Sequence, residues 1–321
     1  MKKVIGLLSS ILCFVMLTNF SPQNDFPQLT WEYLSQKHPG MVPEIFAPGI
    51  VSTGYFEHSS PSFSPNKTEM YWSVHYSENS AHSRPIVFMR YENDKWSESQ
   101  IAEFVRSEYC YENPFFSADG NRIYFSASLV DKKVIGSDIW YVERTSIGWS
   151  DQKKLCTPPN TDNFDAQPSL TKDGSLYYIS YYEKASPQYG LYYSKYASEQ
   201  YFSPVLMEEK FNKLHADWTP YIAPHESYFI FCSFREGGFG SGDLYVSFKR
   251  SDGTWGDVIN MGEKINSEAN ERFPNVTPDG KYLFFNTTKK IPGAKSDEPG
   301  NGNGDIYWIS AKIIEQLGPK E

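Results

Sequence analysis

Apolar residues come along this chain in short aromatic and aliphatic runs broken by polar turns, and the runs recur at a fixed interval. Five segments share one order of residue types: Pro61-Ser-Phe-Ser-Pro-Asn66, Pro114-Phe-Phe-Ser-Ala-Asp119-Gly120, Pro168-Ser-Leu-Thr-Lys-Asp173-Gly174, Pro220-Tyr-Ile-Ala-Pro-His225 and Pro274-Asn-Val-Thr-Pro-Asp279-Gly280. Their first prolines are 53, 54, 52 and 54 residues apart. Each segment runs into an aromatic strand: Met70-Tyr-Trp72, Ile123-Tyr-Phe125, Leu176-Tyr-Tyr178, Tyr228-Phe-Ile230 and Tyr282-Leu-Phe284. Self-similarity at such a period marks a repeat architecture and is weighed before any local motif.

Each period reads as four strands. Asp-Gly pairs at 119–120, 173–174 and 279–280 supply the positive-φ turn of a hairpin between the first two strands. Asn66-Lys67 and His225-Glu226 stand there in the other two repeats, so those turns are expected to differ. A polar loop leads to a third strand at Ile86, Asp138, Leu191, Asp243 and Asp305. A fourth opens with an aromatic residue at Trp96, Trp149, Tyr201 and Trp255. Such a unit cannot bury both its faces alone, and radial stacking around a channel solves the problem. The predicted fold is an all-β propeller of four-stranded antiparallel blades, with five blades favoured over six. The last repeat stops after its third strand, so Pro43–Val51 is expected to supply the missing fourth and close the ring. The domain reading is a secretory signal at 1–22, a leader at 23–42, the propeller at 43–313 and a tail at 314–321.

Composition narrows this further. The 321 residues include 23 Tyr, 22 Phe and 8 Trp, too aromatic for a disordered chain. The aromatic strips are expected to fill the space between blades. A net charge of −9 argues against nucleic-acid binding, which needs clustered Lys and Arg. Lys2 and Lys3 precede an apolar run from Val4 to Phe20, the pattern of an export signal cut between about Thr18 and Asn24. Cys13 lacks the small residues that precede a lipidated cysteine, and no later stretch is long enough to span a membrane. Cys110, Cys156 and Cys232 leave an odd count, with a Cys110–Cys156 bridge open and Cys232 read as a buried hydrophobe.

The pattern Pro-x-Phe-Ser-x-Asp-Gly-x-x-Ile-Tyr-Phe-Ser from Pro114, followed by Asp138-Ile, resembles the PD40 (WD40-like, TolB-like) propeller repeat. Gly237-Gly-Phe-Gly-Ser-Gly-Asp243-Leu-Tyr245, with Trp255, Asn266, Glu271 and Pro274, is similar to the version in bacterial envelope proteins. The lead-in from Tyr33 to Ser52 resembles the opening of exported single-domain members. No α/β domain of the TolB kind is expected before the repeats. The resemblance implies a bacterial envelope location and the propeller fold, and specifies function poorly.

An acidic residue recurs two to four positions before each repeat proline: Glu57, Glu112, Asp165, Asp217 and Glu271. With the first strand nearest the axis, these acids are expected at one channel mouth. The variable loops 75–85, 128–137, 181–190, 234–242 and 289–304 open over the same mouth, the layout of a binding face. Converging acids call for a cation such as calcium or a basic neighbour, with His58, His215, Arg235 and Arg272 at hand. The bland reading is that a residue present in every blade serves the blade by accepting backbone N–H bonds. Asp138, Asp243 and Asp305 read as Asx-type turns, and His75 and His82 as solvated loop residues. Trp218, beside Asp217, is placed to stack on a sugar ring if it reaches the mouth. The glycines at 237–242 precede a strand and lack Lys-Ser/Thr, which excludes a phosphate loop.

These residues support a non-catalytic envelope module that binds a protein, peptide or glycan through Glu57, His58, Glu112, Asp165, Asp217, Trp218, Glu271 and Arg272. It would need no cofactor and carry no membrane domain after signal cleavage. The alternative is a glycosidase-like enzyme using channel-mouth carboxylates, with Asp165, Asp217 and Glu271 as the residues to test. No serine-hydrolase elbow with suitable context is present.

Overall fold

The computed structural model describes residues 26–319, apart from 31, 77–83, 131–135, 163, 182–188 and 214–216. The signal segment, His82 and His215 lie outside the described residues, as do parts of three of the variable loops. Five antiparallel sheets form a five-bladed propeller. Blade 2 shows the pattern: Tyr109–Phe116, Arg122–Leu129 and Asp138–Thr145, then a fourth strand in two pieces, Gly148–Trp149 and Lys153–Lys154, both paired with the third. Blade 1 divides its first strand as well, into Phe56–Glu57 and Ser62–Phe63, before Glu69–His75 and Ile86–Glu92. Blades 3 and 4 begin at Asp165–Leu170 and Asp217–Ile222.

Blade 5 consists of Glu271–Val276, Tyr282–Thr287 and Asp305–Ser310, and its fourth strand comes from the other end of the chain. Glu44–Ile45 pairs with Trp308 and Tyr307, closing the ring as the truncated last repeat suggested. The Phe46 amide donates to the Ile306 carbonyl at 2.8 Å, and the Ser52 hydroxyl both donates to and accepts from the Ile306 backbone at 3.1 Å. The fully buried Phe46 ring stands edge-on to Phe284 at 4.9 Å and Trp308 at 5.1 Å. After the last strand, helix Lys312–Leu317 buries Ile313 and Ile314 in the cluster shared by blades 4 and 5.

Aromatic side chains hold neighbouring blades together face to face. Trp149 of blade 2 donates from Nε1 to the Tyr71 hydroxyl of blade 1 at 2.8 Å, while Phe88, Phe104 and Phe116 pack round the same ring. Phe211, Phe229, Phe231 and Trp255 form the corresponding cluster further on. Each fully buried ring is worth roughly 1.5–3 kcal/mol of transfer free energy, so the blades cohere without edge-to-edge strand pairing. No disulfide joins Cys110 to Cys156 among the described residues; Cys156 is exposed and Cys232 buried.

All five hairpin turns adopt one conformation. Gly120, Gly174 and Gly280 have φ of 72°, 87° and 70°, and Lys67 and Glu226 take the same left-handed backbone at 60° and 57°. The fourth-residue amide donates to the Ser64, Ser117, Thr171, Ala223 or Thr277 carbonyl in every case. The two turns without glycine therefore do not differ in shape, contrary to the sequence expectation. Tertiary contacts offset their strain: Lys67 Nζ bonds Asp279 at 2.8 Å, and Glu226 is held by Tyr177 at 2.6 Å and by Lys249.

The first strands line the axis, each touching the next round the ring. In blades 2 to 5 each carries a β-bulge at the repeat proline, and the preceding residue is left-handed: Asn113 (50°), Gln167 (59°), Thr219 (50°) and Phe273 (53°). This is strained for a residue before proline. Side chains from the neighbouring blade satisfy the amides so turned. Ser126 Oγ accepts from Gln167, Gln167 Oε1 from Thr219, and Thr219 Oγ1 from Phe273, at 2.7, 2.8 and 3.2 Å. Pro114, Pro168, Pro220 and Pro274 then close on a central cavity of only about 20 Å³. That is room for little more than a water.

Candidate functional site

The pleat of the first strand decides which residues face the axis. Successive side chains point to opposite faces, so the last paired residue before each bulge projects one way and its predecessor the other. In blades 2 to 5 the residue two before the proline is Glu112, Ala166, Trp218 or Arg272; the residue three before it is Tyr111, Asp165, Asp217 or Glu271. Blade 1 has one more residue, and its pair is His58 and Glu57.

The residues of the second set are built into the blades. Asp165 is fully buried and accepts the Thr161 amide at 2.6 Å, the Thr161 hydroxyl at 2.8 Å and the Ser180 hydroxyl at 2.6 Å. Glu271 takes the amide and hydroxyl of Ser267 at 2.9 and 2.6 Å and the Thr287 hydroxyl at 2.6 Å. It lines a cavity of about 270 Å³ bordered by Met41, Val42 and Lys289. Glu57, also fully buried, takes the amide and hydroxyl of Thr53. Asp217 accepts Arg235 at 2.8 Å and the Lys213 main chain. The donor lies four residues before the acid each time, fastening the chain as it enters a blade. Burial pushes the Glu57, Asp165 and Asp217 carboxyls above their usual range. In blade 2 Tyr111 replaces the acid, and its hydroxyl accepts the Arg106 amide at 2.9 Å. Arg235 is thus committed to Asp217, with its guanidinium over the Phe231 and Tyr245 rings.

His58, Glu112 and Arg272 are the sequence candidates brought together at the mouth, and Trp218 occupies the same axis-facing position in blade 4. Glu112 Oε1 lies 3.5 Å from His58 Nδ1 and 3.5 Å from an Arg84 nitrogen. The His58 ring packs on Phe56 at 4.8 Å and Phe273 at 5.2 Å, and burial lowers its pKa, which keeps it neutral near pH 7. The Arg272 guanidinium sits 5.3 Å from each of the same two phenyl rings. Half-buried Trp218 lies 5.3 Å from the Tyr189 ring at an interplanar angle of 36°, and Tyr189 continues to Phe164 and Tyr181. Sequence reasoning missed Arg84, which comes from a loop with no repeat signature, and Tyr189, which opens the third strand of blade 3. The separation of the acids was open to it, through Thr53, Thr161 and Ser267 standing four residues before their carboxylates.

Two further features complete the surroundings. Among the described residues, no three His, Cys, Asp or Glu side chains are grouped as a metal site. On the hairpin-turn face, a cavity of about 540 Å³ draws residues from all five blades. Its walls include Phe115, Tyr221, Tyr228 and Val276, and its carboxylate Asp279 is held by Lys67 and Thr277.

No protein-family model and no curated protein sequence matches the chain. Solved structures similar to it include an α-L-arabinofuranosidase from Lactobacillus brevis, at 13% identity over 82% of this chain and 90% of that one, with a TM-score of 0.51. An arabinanase from Bacillus subtilis is similar at 14% identity over 79% and 94%, with a TM-score of 0.50. TolB from Acinetobacter baumannii matches at 12% identity and a TM-score of 0.47, over 78% of this chain. This chain spans 56% of the length of that TolB. Identities this low establish a shared fold and nothing about the chemistry at its mouth.

Proposed function

We propose that the chain is a glycan-binding propeller that holds a sugar at the axis-facing mouth without cleaving it. One observation carries this reading: the pleat takes four of the five recurring acids into the blades and leaves, among the described residues, Glu112 as the one of the five that faces the mouth. Glycoside hydrolysis by paired carboxyls needs two, about 5–5.5 Å apart for retention or roughly 6.5–9.5 Å for inversion. The groups at the mouth suit binding instead. The Trp218 and Tyr189 rings offer an apolar platform for the C–H face of a sugar, and Glu112 and His58 offer acceptors and a donor for its hydroxyls. A peptide adding itself as a strand would need an open sheet edge, and the inner strands are bulged and packed round the axis. The charged and apolar leader at residues 2–20 supports an exported, envelope-located protein.

A glycan array probed with the wild type and Trp218→Ala, paired with an assay for new reducing ends, tests the reading. Binding to a defined glycan class that Trp218→Ala abolishes is expected, with no release of reducing ends. Unchanged binding by the variant, or turnover of a bound glycan, would overturn it.

A further inference from the structure

Among the described residues, Arg272 is the charged group at the mouth with no counterpart. It forms no ion pair among the described residues, and its Nε is buried without a hydrogen-bond partner. The guanidinium lies 5.3 Å from the Phe56 and Phe273 ring centroids, an aromatic setting that favours a cation. Glu112 lies near enough to favour the charged form, yet its oxygen is shared by His58 and Arg84. Among the described residues here there are two arginines and one carboxylate; Arg84 and Glu112 balance each other, and one positive charge is left over. Burial already pulls the Arg272 pKa down, which shows that its charge is held against poor solvation. A charge kept in that state is prepared for an anion.

We propose that Arg272 receives the carboxylate of a uronic-acid residue at the end of a glycan, with the sugar ring stacked on Trp218. This rests on the glycan-binding reading above. A planar, singly charged group matches one guanidinium and one uncompensated charge. A phosphate dianion would bring a second negative charge against Glu112 with no further cation to meet it. Glu112 can accept from the hydroxyls that the sugar ring carries beside its carboxylate. The proline ring bars passage along the axis, so the mouth suits a chain end rather than a threaded polymer.

Calorimetric titration of the wild type with a hexuronate oligosaccharide and with its methyl ester tests the assignment without any variant. The acid is expected to bind about 10- to 100-fold more tightly, the range of a charge-assisted hydrogen-bonded pair. Arg272→Gln should bring the acid down to the affinity of the ester, and Arg272→Lys should recover only part of the difference. Equal affinities for acid and ester in the wild type would overturn the assignment and leave glycan binding standing. Tighter binding of inorganic phosphate, or of a peptide with a free C-terminus, would also overturn it. Failure of the acid to bind would overturn the uronate assignment, and the glycan array then decides separately whether the mouth binds any glycan.

Discussion

Replacing Asp165 separates an acid that serves its blade from one that serves a ligand. Its carboxylate takes three short bonds, from the Thr161 amide, the Thr161 hydroxyl and the Ser180 hydroxyl, at 2.6, 2.8 and 2.6 Å. Asp165→Ala deletes all three. At about 1–1.5 kcal/mol for each bond the loss is roughly 3–4 kcal/mol, reduced by relief of the desolvation that raises the carboxyl's pKa, to about 3 kcal/mol. Asp165→Asn keeps an oxygen for Thr161 and offers an N–H to Ser180, whose hydroxyl can turn to accept it. It should lie within about 1 kcal/mol of wild type. The sign of the pH effect follows from the raised folded-state pKa. The wild type's stability is fully present below the unfolded pKa and falls as pH rises through the folded one, whereas the Asn variant has no such fall. Urea denaturation from pH 4 to 8, followed by fluorescence, reads all of this. Equal damage from Ala and Asn, or no damage from Ala together with loss of glycan binding, would refute the reasoning.

Other perturbations probe the remaining joints. Asp305 is buried with a single bond from the Gly300 amide, and burial pushes its pKa up to about 6. Stability should therefore fall between pH 4 and 6 as the unfolded chain ionises first, and Asp305→Asn should flatten that slope by about one proton in equilibrium titrations. Phe46→Ala empties the closing contact with Phe284 and Trp308 and should lower stability by about 3–5 kcal/mol in denaturant melts. Thiol titration of the folded protein should label exposed Cys156 rapidly and Cys232 only on unfolding, because burial raises the pKa of that thiol.

The ring was legible because its signals are local. Proline spacing, Asp-Gly turns and the truncated last repeat specify five blades and where the chain closes. The Lys67 and Glu226 turns were not legible, because a left-handed lysine or glutamate is selected by distant partners such as Asp279 and Tyr177 rather than by its own type. The mouth was half legible. Counting residues back from the proline grouped all five acids, but one step along a strand reverses the face, so Glu112 and Asp165 point in opposite directions. His58, Trp218 and Arg272 fall on the axis side by the same rule. Arg84 joins them from a loop and Tyr189 from the start of a third strand, at positions that depend on the folded ring.

Hydrogen–deuterium exchange with and without a saturating hexuronate oligosaccharide tests the location of the site most directly. New protection is predicted in peptides covering His58, Glu112, Trp218 and Arg272, which belong to four different blades and face the axis at this mouth. Protection confined to the opposite face, around Phe115, Tyr221 and Tyr228, would contradict the account and move the site to the hairpin-turn cavity.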